Sequence, residues 1–345
     1  MSGSGLPTII DVARVAGVSM KTVSRVVNRD PTVKPANREK VEAAIRETGY
    51  RQNAFARGLR ARRSHVLGLL YADARGDYPV EVLRGALTEC RGSGYHLMVE
   101  MLAGPGRLDQ MRDFVSRIGF DGVVLTPPVC DDPDILDYLA GEAIPFVRIS
   151  PRPEIRAGWT IGIDDRAAAR EMTDYLLSLG HRDIALISGD AGQAASEARI
   201  AGFCEAMAAA GLNVPPERIV PGGFQFEDGH AAAQALLRAG PPPTAVFAAN
   251  DVAAAGVMAL LGERGLSVPQ DISVAGFDGG AISRFIWPRL TTIEQPVSAL
   301  GAGAVRCLID AETQGLPDDG EAHLETLPHR LVVGGSTRPL SGGQT

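Results

Sequence analysis

Apolar positions recur at helical spacing over residues 7–50 and then change to short continuous runs beyond residue 65. In the first stretch, Ile10, Val12, Ala13 and Ala16 form one apolar face. It stands behind Thr8-Ile9-Ile10-Asp11, an S/T-x-x-D/E start whose hydroxyl is available to cap free backbone N–H groups. Gly17 ends that helix in a tight turn, where a residue without Cβ is favoured. Ser19 then caps a second helix over 20–28, with Val23, Val26 and Val27 inward and Met20, Lys21, Ser24 and Arg25 on the other face. A third amphipathic helix spans 35–48, with Val41, Ala44 and Ile45 inward, and closes at Gly49. Helix, glycine turn, and a helix with polar residues at its N-terminal end make a helix-turn-helix.

The remainder alternates apolar runs with amphipathic stretches. Runs at 66–71, 97–101, 123–126 and 145–149 read as strands, separated by helical patterns near 79–91, 107–117 and 133–139. A second series follows at 184–188, 219–221, 245–248 and 273–277, with helices near 196–210, 227–239 and 251–264. The fold class expected is a small all-α head plus an α/β core of two doubly wound parallel-sheet lobes. Ligands of such sheets bind beyond the strand C-termini, and two facing lobes form a cleft there. Asp73, Thr126, Asn250 and Asp278 each follow an apolar run, Arg199 stands at the start of a helix and Phe224 just past a strand. Asp164 and Asp165 read as helix-start residues rather than ligands.

Charge sharpens this division. The net charge is −7, yet residues 1–64 hold 13 basic against 5 acidic residues, a net of +8, and leave the remainder at −15. All three lysines, Lys21, Lys34 and Lys40, fall in the head. Such asymmetry marks a nucleic-acid-binding head on an acidic body. Hydrophobic residues make up 45% and no apolar run reaches the length of a membrane span, so a soluble, cytoplasmic chain without a secretory leader is expected. Cys90, Cys130, Cys204 and Cys307 lie far apart and read as reduced, apolar residues. The six histidines are scattered, and no nucleophile elbow, Walker loop or H-E-x-x-H occurs, so neither a metal, a cofactor nor an enzyme is expected.

The segment D-V-A-R-V-A-G-V-S-M-K-T-V-S-R-V-V-N (residues 11–28) resembles the signature of LacI/GalR-type bacterial transcription regulators. The resemblance places Met20, Lys21 and Arg25 at base-reading positions, with Arg25 suited to a bidentate contact with guanine. Thr8, Ser19, Thr22, Ser24 and Asn28 either cap helices or contact phosphates. Residues 51–64 resemble the family's hinge helix, with Asn53, Arg57 and Leu59 as candidate DNA contacts and Leu59 as the minor-groove wedge. Gln52 stands where the family commonly has proline, which leaves the start of the hinge less rigid.

The blocks L-G-H-R-D-I-A-L-I-S-G, P-T-A-V-F-A-A-N-D, D-I-S-V-A-G-F-D and L-T-T-I-E-Q-P look like the family's effector-binding core, itself similar to periplasmic sugar-binding proteins. The resemblance gives Asp73, Tyr78, Thr126, Arg199, Phe224, Asn250, Asp278 and Gln295 as candidate effector residues. Ser150-Pro151 stands where several sugar-binding relatives carry an acidic residue. The resemblance also implies a repressor of a carbohydrate-utilisation operon that binds a near-palindromic operator as a homodimer and is released by a sugar-like effector, with a nucleoside or another small metabolite, and a corepressor in place of an inducer, as the alternatives. No heptad extension for a tetramer follows the last strand-like run. The expected organisation is a DNA-binding domain over 7–50, a hinge over 51–64 and a core over 65–340. In that core an N-lobe (65–164 plus 295–326) faces a C-lobe (165–293 plus 328–340).

Overall fold

The computed structural model describes residues 7–27, 30–50, 64–72, 76–117, 119–314 and 324–340. The chain divides into two compact units, 1–64 and 65–345. In the first, helices α1 (Ile9–Ala16), α2 (Met20–Val27) and α3 (Pro35–Thr48) enclose a core of Val12, Ala13, Val23, Val26, Val33, Val41 and Ala44. Gly17 and Gly49 adopt φ of 63° and 67° where the chain leaves α1 and α3, a conformation that favours glycine. One inward assignment is corrected. Ile10 is 61% exposed, and Ile9, Val12, Ala13 and Ala16 form the buried stripe, the i, i+3, i+4, i+7 set that a helix places on one face.

The second unit begins with β1 (Val66–Tyr71), α4 (Asp77–Ser93), β2 (His96–Met101), α5 (Arg107–Arg117), β3 (Gly122–Leu125), α6 (Pro133–Gly141), β4 (Phe146–Ile149) and β5 (Trp159–Gly162). It continues through α7 (Asp165–Ser178), β6 (Ile184–Ile187), α8 (Ala194–Ala209), β7 (Ile219–Val220), α9 (Phe226–Ala239), β8 (Ala245–Ala248), α10 (Asp251–Glu263), β9 (Ser273–Asp278) and α11 (Ala281–Phe285). It ends with β10 (Thr291–Glu294), α12 (Val297–Gln314), β11 (Leu324–Thr326) and β12 (Arg330–Val332).

Two six-stranded sheets result, ordered β11-β5-β4-β3-β1-β2 and β12-β10-β9-β8-β6-β7. Their ladders are parallel except for β10 with β12. Helices cover both faces, so the central strands are buried on both sides and read as continuous apolar runs. The chain passes between the lobes at three places: after β5, between β10 and α12, and between β11 and β12. Strand β5, helix α7, strand β10 and helix α12 extend the pattern expected from the apolar runs. Among the described residues no helix is long and apolar enough to cross a membrane, and no group of three or more histidine, cysteine or acidic side chains is placed to hold a metal.

Candidate functional site

The candidate DNA-reading surface is the outer face of α2. Asp11 closes the start of α1 by accepting from both the N–H (2.9 Å) and the hydroxyl (2.7 Å) of Thr8, so that hydroxyl donates to a carboxylate instead of capping alone. Ser19 caps α2: its Oγ accepts from Thr22 N–H at 3.2 Å and lies 3.0 Å from Thr22 Oγ1. With Val23 and Val26 buried, Met20 (54% exposed), Lys21 and Arg25 face outward, and Thr22 and Ser24 are half-buried. Arg25 is held by the segment after α2: its Nε donates to Asp30 Oδ2 at 2.8 Å, and its Nη2 to Thr32 Oγ1. Asn28, Asn53, Arg57, Leu59 and Asp73 lie outside the described residues.

The second site gathers at the C-terminal ends of the strands of the C-lobe. Arg199 is in the second turn of α8 rather than at its start, and it is buried. Its Nε and Nη2 reach Asp165 Oδ1 at 2.9 and 2.8 Å, and its Nη1 donates to the Ala249 carbonyl at 2.5 Å. The guanidinium lies 3.6 Å from the centre of the Phe277 ring and 5.9 Å from that of Phe224, in reach of both faces. Asp278 Oδ1 sits 3.9 Å from Arg199 and accepts from Gln295 Nε2 at 2.7 Å. Burial pushes the Asp278 carboxyl up to about 6, against the pull of Arg199 and Gln295, and the charges of Asp165 and Asp77 act in the same direction as burial. Its backbone φ is 104°, a strained position for a non-glycine residue, and Ser150 at the end of β4 has φ 47°. Two strained residues therefore mark the strand ends of opposite lobes.

The other expected residues divide. Tyr78 is half-buried, with its hydroxyl 3.4 Å from Ser150 Oγ, and burial holds its phenol well above the ordinary tyrosine value. Thr126 donates to the Leu70 carbonyl (3.2 Å). Asn250 takes its capping alternative: Oδ1 accepts from Ala253 N–H (2.8 Å), and Nδ2 donates to the Phe224 carbonyl (3.0 Å). Asn250 thereby positions Phe224.

Three features escaped the sequence reading. Asp165, read only as a helix start, is the counter-ion of Arg199. Arg152 of the N-lobe clasps Glu197 on α8 through both terminal nitrogens at 2.5 and 2.8 Å, and Asp77 Oδ2 accepts from Ala281 N–H at 3.0 Å, so the lobes are tied on two sides of the cleft. Between the lobes lie cavities of about 740 Å³, lined by Ser150, Arg152, Asp165 and Glu197, and about 520 Å³, lined by Tyr78, Asp278 and Gln295. Ser196 is the third feature. It is 3% exposed, and among the described residues its Oγ is one of two buried side-chain polar atoms without a hydrogen-bond partner. A Cβ added at Gly189 would meet both Ser196 Oγ (2.5 Å) and the Phe224 ring (2.2 Å), so hydroxyl and ring converge at the end of β6. The i, i+3 spacing of Ser196 and Arg199 on one helix was the available signal. Ser196→Ala is expected to leave the melting temperature of the ligand-free protein unchanged or raised, because a hydroxyl without a partner contributes only its desolvation. A fall of several degrees would show that the hydroxyl is bonded in the free protein.

A helical head and a two-lobed core with a polar cleft between the lobes define the class of ligand-responsive DNA-binding regulators. Residues 8–53 match bacterial regulatory proteins of the lacI family, and residues 173–337 match a periplasmic binding protein-like domain. The chain is 35% identical over 310 residues to the ribose operon repressor of Escherichia coli K12, covering 90% of this chain and 94% of that one. It is 34% identical over 309 residues to the transcriptional repressor PurR of Pasteurella multocida, covering 88% and 92%. The lac repressor dimer bound to operator and an anti-inducer superposes with a TM-score of 0.84 at 28% identity, covering 97% of this chain and all of that one. The chain belongs to the LacI family, and it is a DNA-binding transcriptional regulator rather than an enzyme.

Proposed function

We propose that this regulator represses a carbohydrate-utilisation operon in the bacterial cytoplasm, binding a near-palindromic operator as a homodimer and leaving it when a small neutral polyol fills the cleft. The observation that carries the reading is the Arg199–Asp278–Gln295 cluster beside Phe224. Fixed donors and acceptors over an aromatic face suit vicinal hydroxyls, and Asp165 and Asp278 offset the charge of Arg199, which disfavours an anionic effector. Tyr78 and Ser150 add hydroxyls to the lining of the cavities between the lobes. The relative named as a ribose operon repressor supports a sugar, and the operator-bound lac repressor dimer supports two-fold assembly. Phe285 and Trp287, 83% and 88% exposed, are apolar surface that a second copy would cover.

A thermal-shift screen of pentoses, hexoses, purine bases and nucleosides tests the effector class. A sugar present at about 100 times its Kd stabilises by about 2.7 kcal/mol, and a response to purines alone overturns the carbohydrate reading.

Asp278→Asn is expected to remove the effector response, spare operator binding and raise stability at neutral pH. The folded-state pKa of about 6 lies above the ordinary 3.8, so the native state binds the proton more tightly than the unfolded chain. The stability tied to the protonated form is present below pH 3.8 and is lost as pH rises through about 6. Asparagine removes that penalty, at most about 3 kcal/mol, and tolerates positive φ. Denaturation midpoints at pH 4 and pH 7 measure it. An unaltered pH slope, or a normal effector response, sinks the assignment.

A further inference from the structure

The recognition helix carries an arrangement that its own sequence pattern does not require. Arg25 is exposed, so an ion pair there contributes little to stability, and a long side chain would ordinarily sample many rotamers. Instead the segment after α2 is built around it. Asp30 N–H donates to the Arg25 carbonyl at 2.9 Å, and the Asp30 carbonyl accepts from Arg38 Nη2 at 2.9 Å. Asp30 Oδ1 takes the N–H (2.9 Å) and hydroxyl (2.5 Å) of Thr32, an aspartate turn that fixes the carboxylate. The second oxygen of that carboxylate is thereby aimed at Arg25 Nε, and the Thr32 hydroxyl oxygen receives Arg25 Nη2.

We propose that Asp30 and Thr32 are specificity-determining positioning residues, which hold the Arg25 guanidinium so that its terminal nitrogens meet the O6 and N7 of one guanine. The inference rests on Arg25 as a base reader, and it adds what sets the orientation of that reader. Guanine O6 and N7 accept two parallel donors. With Nε taken by Asp30 and one Nη2 hydrogen by Thr32, both Nη1 hydrogens and the second Nη2 hydrogen remain, which is an end-on fork. The bonds from Thr32, then the bond from Arg25, hold the Asp30 carboxyl far below the ordinary carboxylate range, so the anchor stays ionised at any working pH. A fixed carboxylate beside the reading face also disfavours phosphate at that spot. A guanidinium that slips from the base therefore finds no substitute contact, and discrimination is gained from both sides.

The test is selection of the full-length chain against duplexes randomised over two half-sites. Wild type is compared with Arg25→Ala, Asp30→Ala, Asp30→Asn, Thr32→Val and the Arg25→Ala/Asp30→Ala double variant. Arg25→Ala identifies the guanine position that Arg25 reads. At that position Asp30→Ala is expected to reduce the guanine preference about tenfold, with preferences elsewhere unchanged and non-specific affinity equal or higher. Asp30→Asn keeps the turn acceptor but loses the charge, and it should fall between, as should Thr32→Val. In the Arg25→Ala background the Asp30 substitution should change no preference. A merely structural role would instead lower the melting temperature and weaken all sequences alike, a result that overturns the proposal. Retained guanine preference in Asp30→Ala, or a stronger one, overturns it too, since the carboxylate is then a bystander or a competitor of DNA. If Arg25→Ala itself leaves every preference intact, the base-reading role of Arg25 falls along with the brace. Should Asp30→Ala not fold, the Asp30→Asn and Thr32→Val matrices decide on the same criterion.

Discussion

Arg199→Ala is expected to destabilise the core by about 3–5 kcal/mol and to abolish the effector response in the same chain. The magnitude follows from what remains after truncation. Asp165 is largely buried at the wall of the cavity and its side chain is bonded to Arg199, so removal leaves a poorly solvated carboxylate without its cation. The Ala249 carbonyl loses its donor, and the stacking over Phe277 is lost as well. Asp278, already raised by burial, loses the cation that opposes that rise. The pH dependence has a definite sign. Burial raises Asp165 even in the intact pair, and without Arg199 the native state of the variant binds its proton more tightly than the unfolded chain. The deficit should therefore be smaller in acid and grow as pH rises through the carboxyl's folded-state value. Adding Asp165→Asn should recover part of the loss, because a neutral amide has no charge to desolvate. Chemical denaturation of the single and double variants at pH 5 and pH 7 measures all three effects. A single variant within about 1 kcal/mol of wild type would show that the pair is not the structural centre of the cleft.

The reading of the fold from sequence succeeded where one face carries the energetics. Helices α3 and α5 have the bounds that their apolar spacing and flanking residues indicate, and β1 and β8 are the apolar runs themselves. It ran short where contact is made by the absence of a side chain. Helix α12 packs on α4 through Gly85 and Gly301: a Cβ at either would lie 1.8 or 2.1 Å from a facing carbonyl oxygen. A seam of that kind has no large apolar residue to count, and the only periodic mark of α12 is the stripe of Val297, Leu300, Ala304, Val305 and Leu308 on its other, core-facing side. Strands β5 (W-T-I-G) and β10 (T-T-I-E) carry threonine, glycine and glutamate in their four residues, so neither presents the continuous apolar run that marks β8. In the cleft, Asp278 stood out because it follows the apolar run of β9, whereas Arg199 and Gln295 were named through the family resemblance, and the fold brings the three side chains together. Ser196 and the Asp165 counter-ion did not stand out, because both look like ordinary helix-start residues until the fold brings Phe224 and Arg199 beside them. Asn250 shows the converse. Its position after β8 suits a ligand and a helix cap equally, and the cap takes its oxygen.

Arg25→Ala is expected to remove the guanine preference at one position of each half-site, and with it a large part of operator discrimination, while leaving salt-sensitive non-specific binding. The two components of affinity have different physical sources. Non-specific attraction comes from the 13 basic residues among the first 64 and changes little when one is removed. Discrimination comes from the few side chains that reach base edges, and a bidentate arginine–guanine contact is worth about 1–3 kcal/mol. In a dimer that contact is made at each half-site, so the loss for a palindromic operator approaches twice that, roughly 30-fold to 10⁴-fold in affinity ratio. Met20, also exposed on α2, offers only apolar contact and cannot substitute. The slope of log K against log salt separates a base reader from a phosphate anchor. Loss of a phosphate contact lowers the slope by about one and weakens all sequences alike, whereas loss of a base contact removes selectivity at nearly constant slope. A footprint indistinguishable from wild type, or a uniform loss with a lowered slope, would move Arg25 from the reading residues to the phosphate anchors. Specificity would then have to come from Lys21 and Met20, the remaining exposed side chains at the start of that helix.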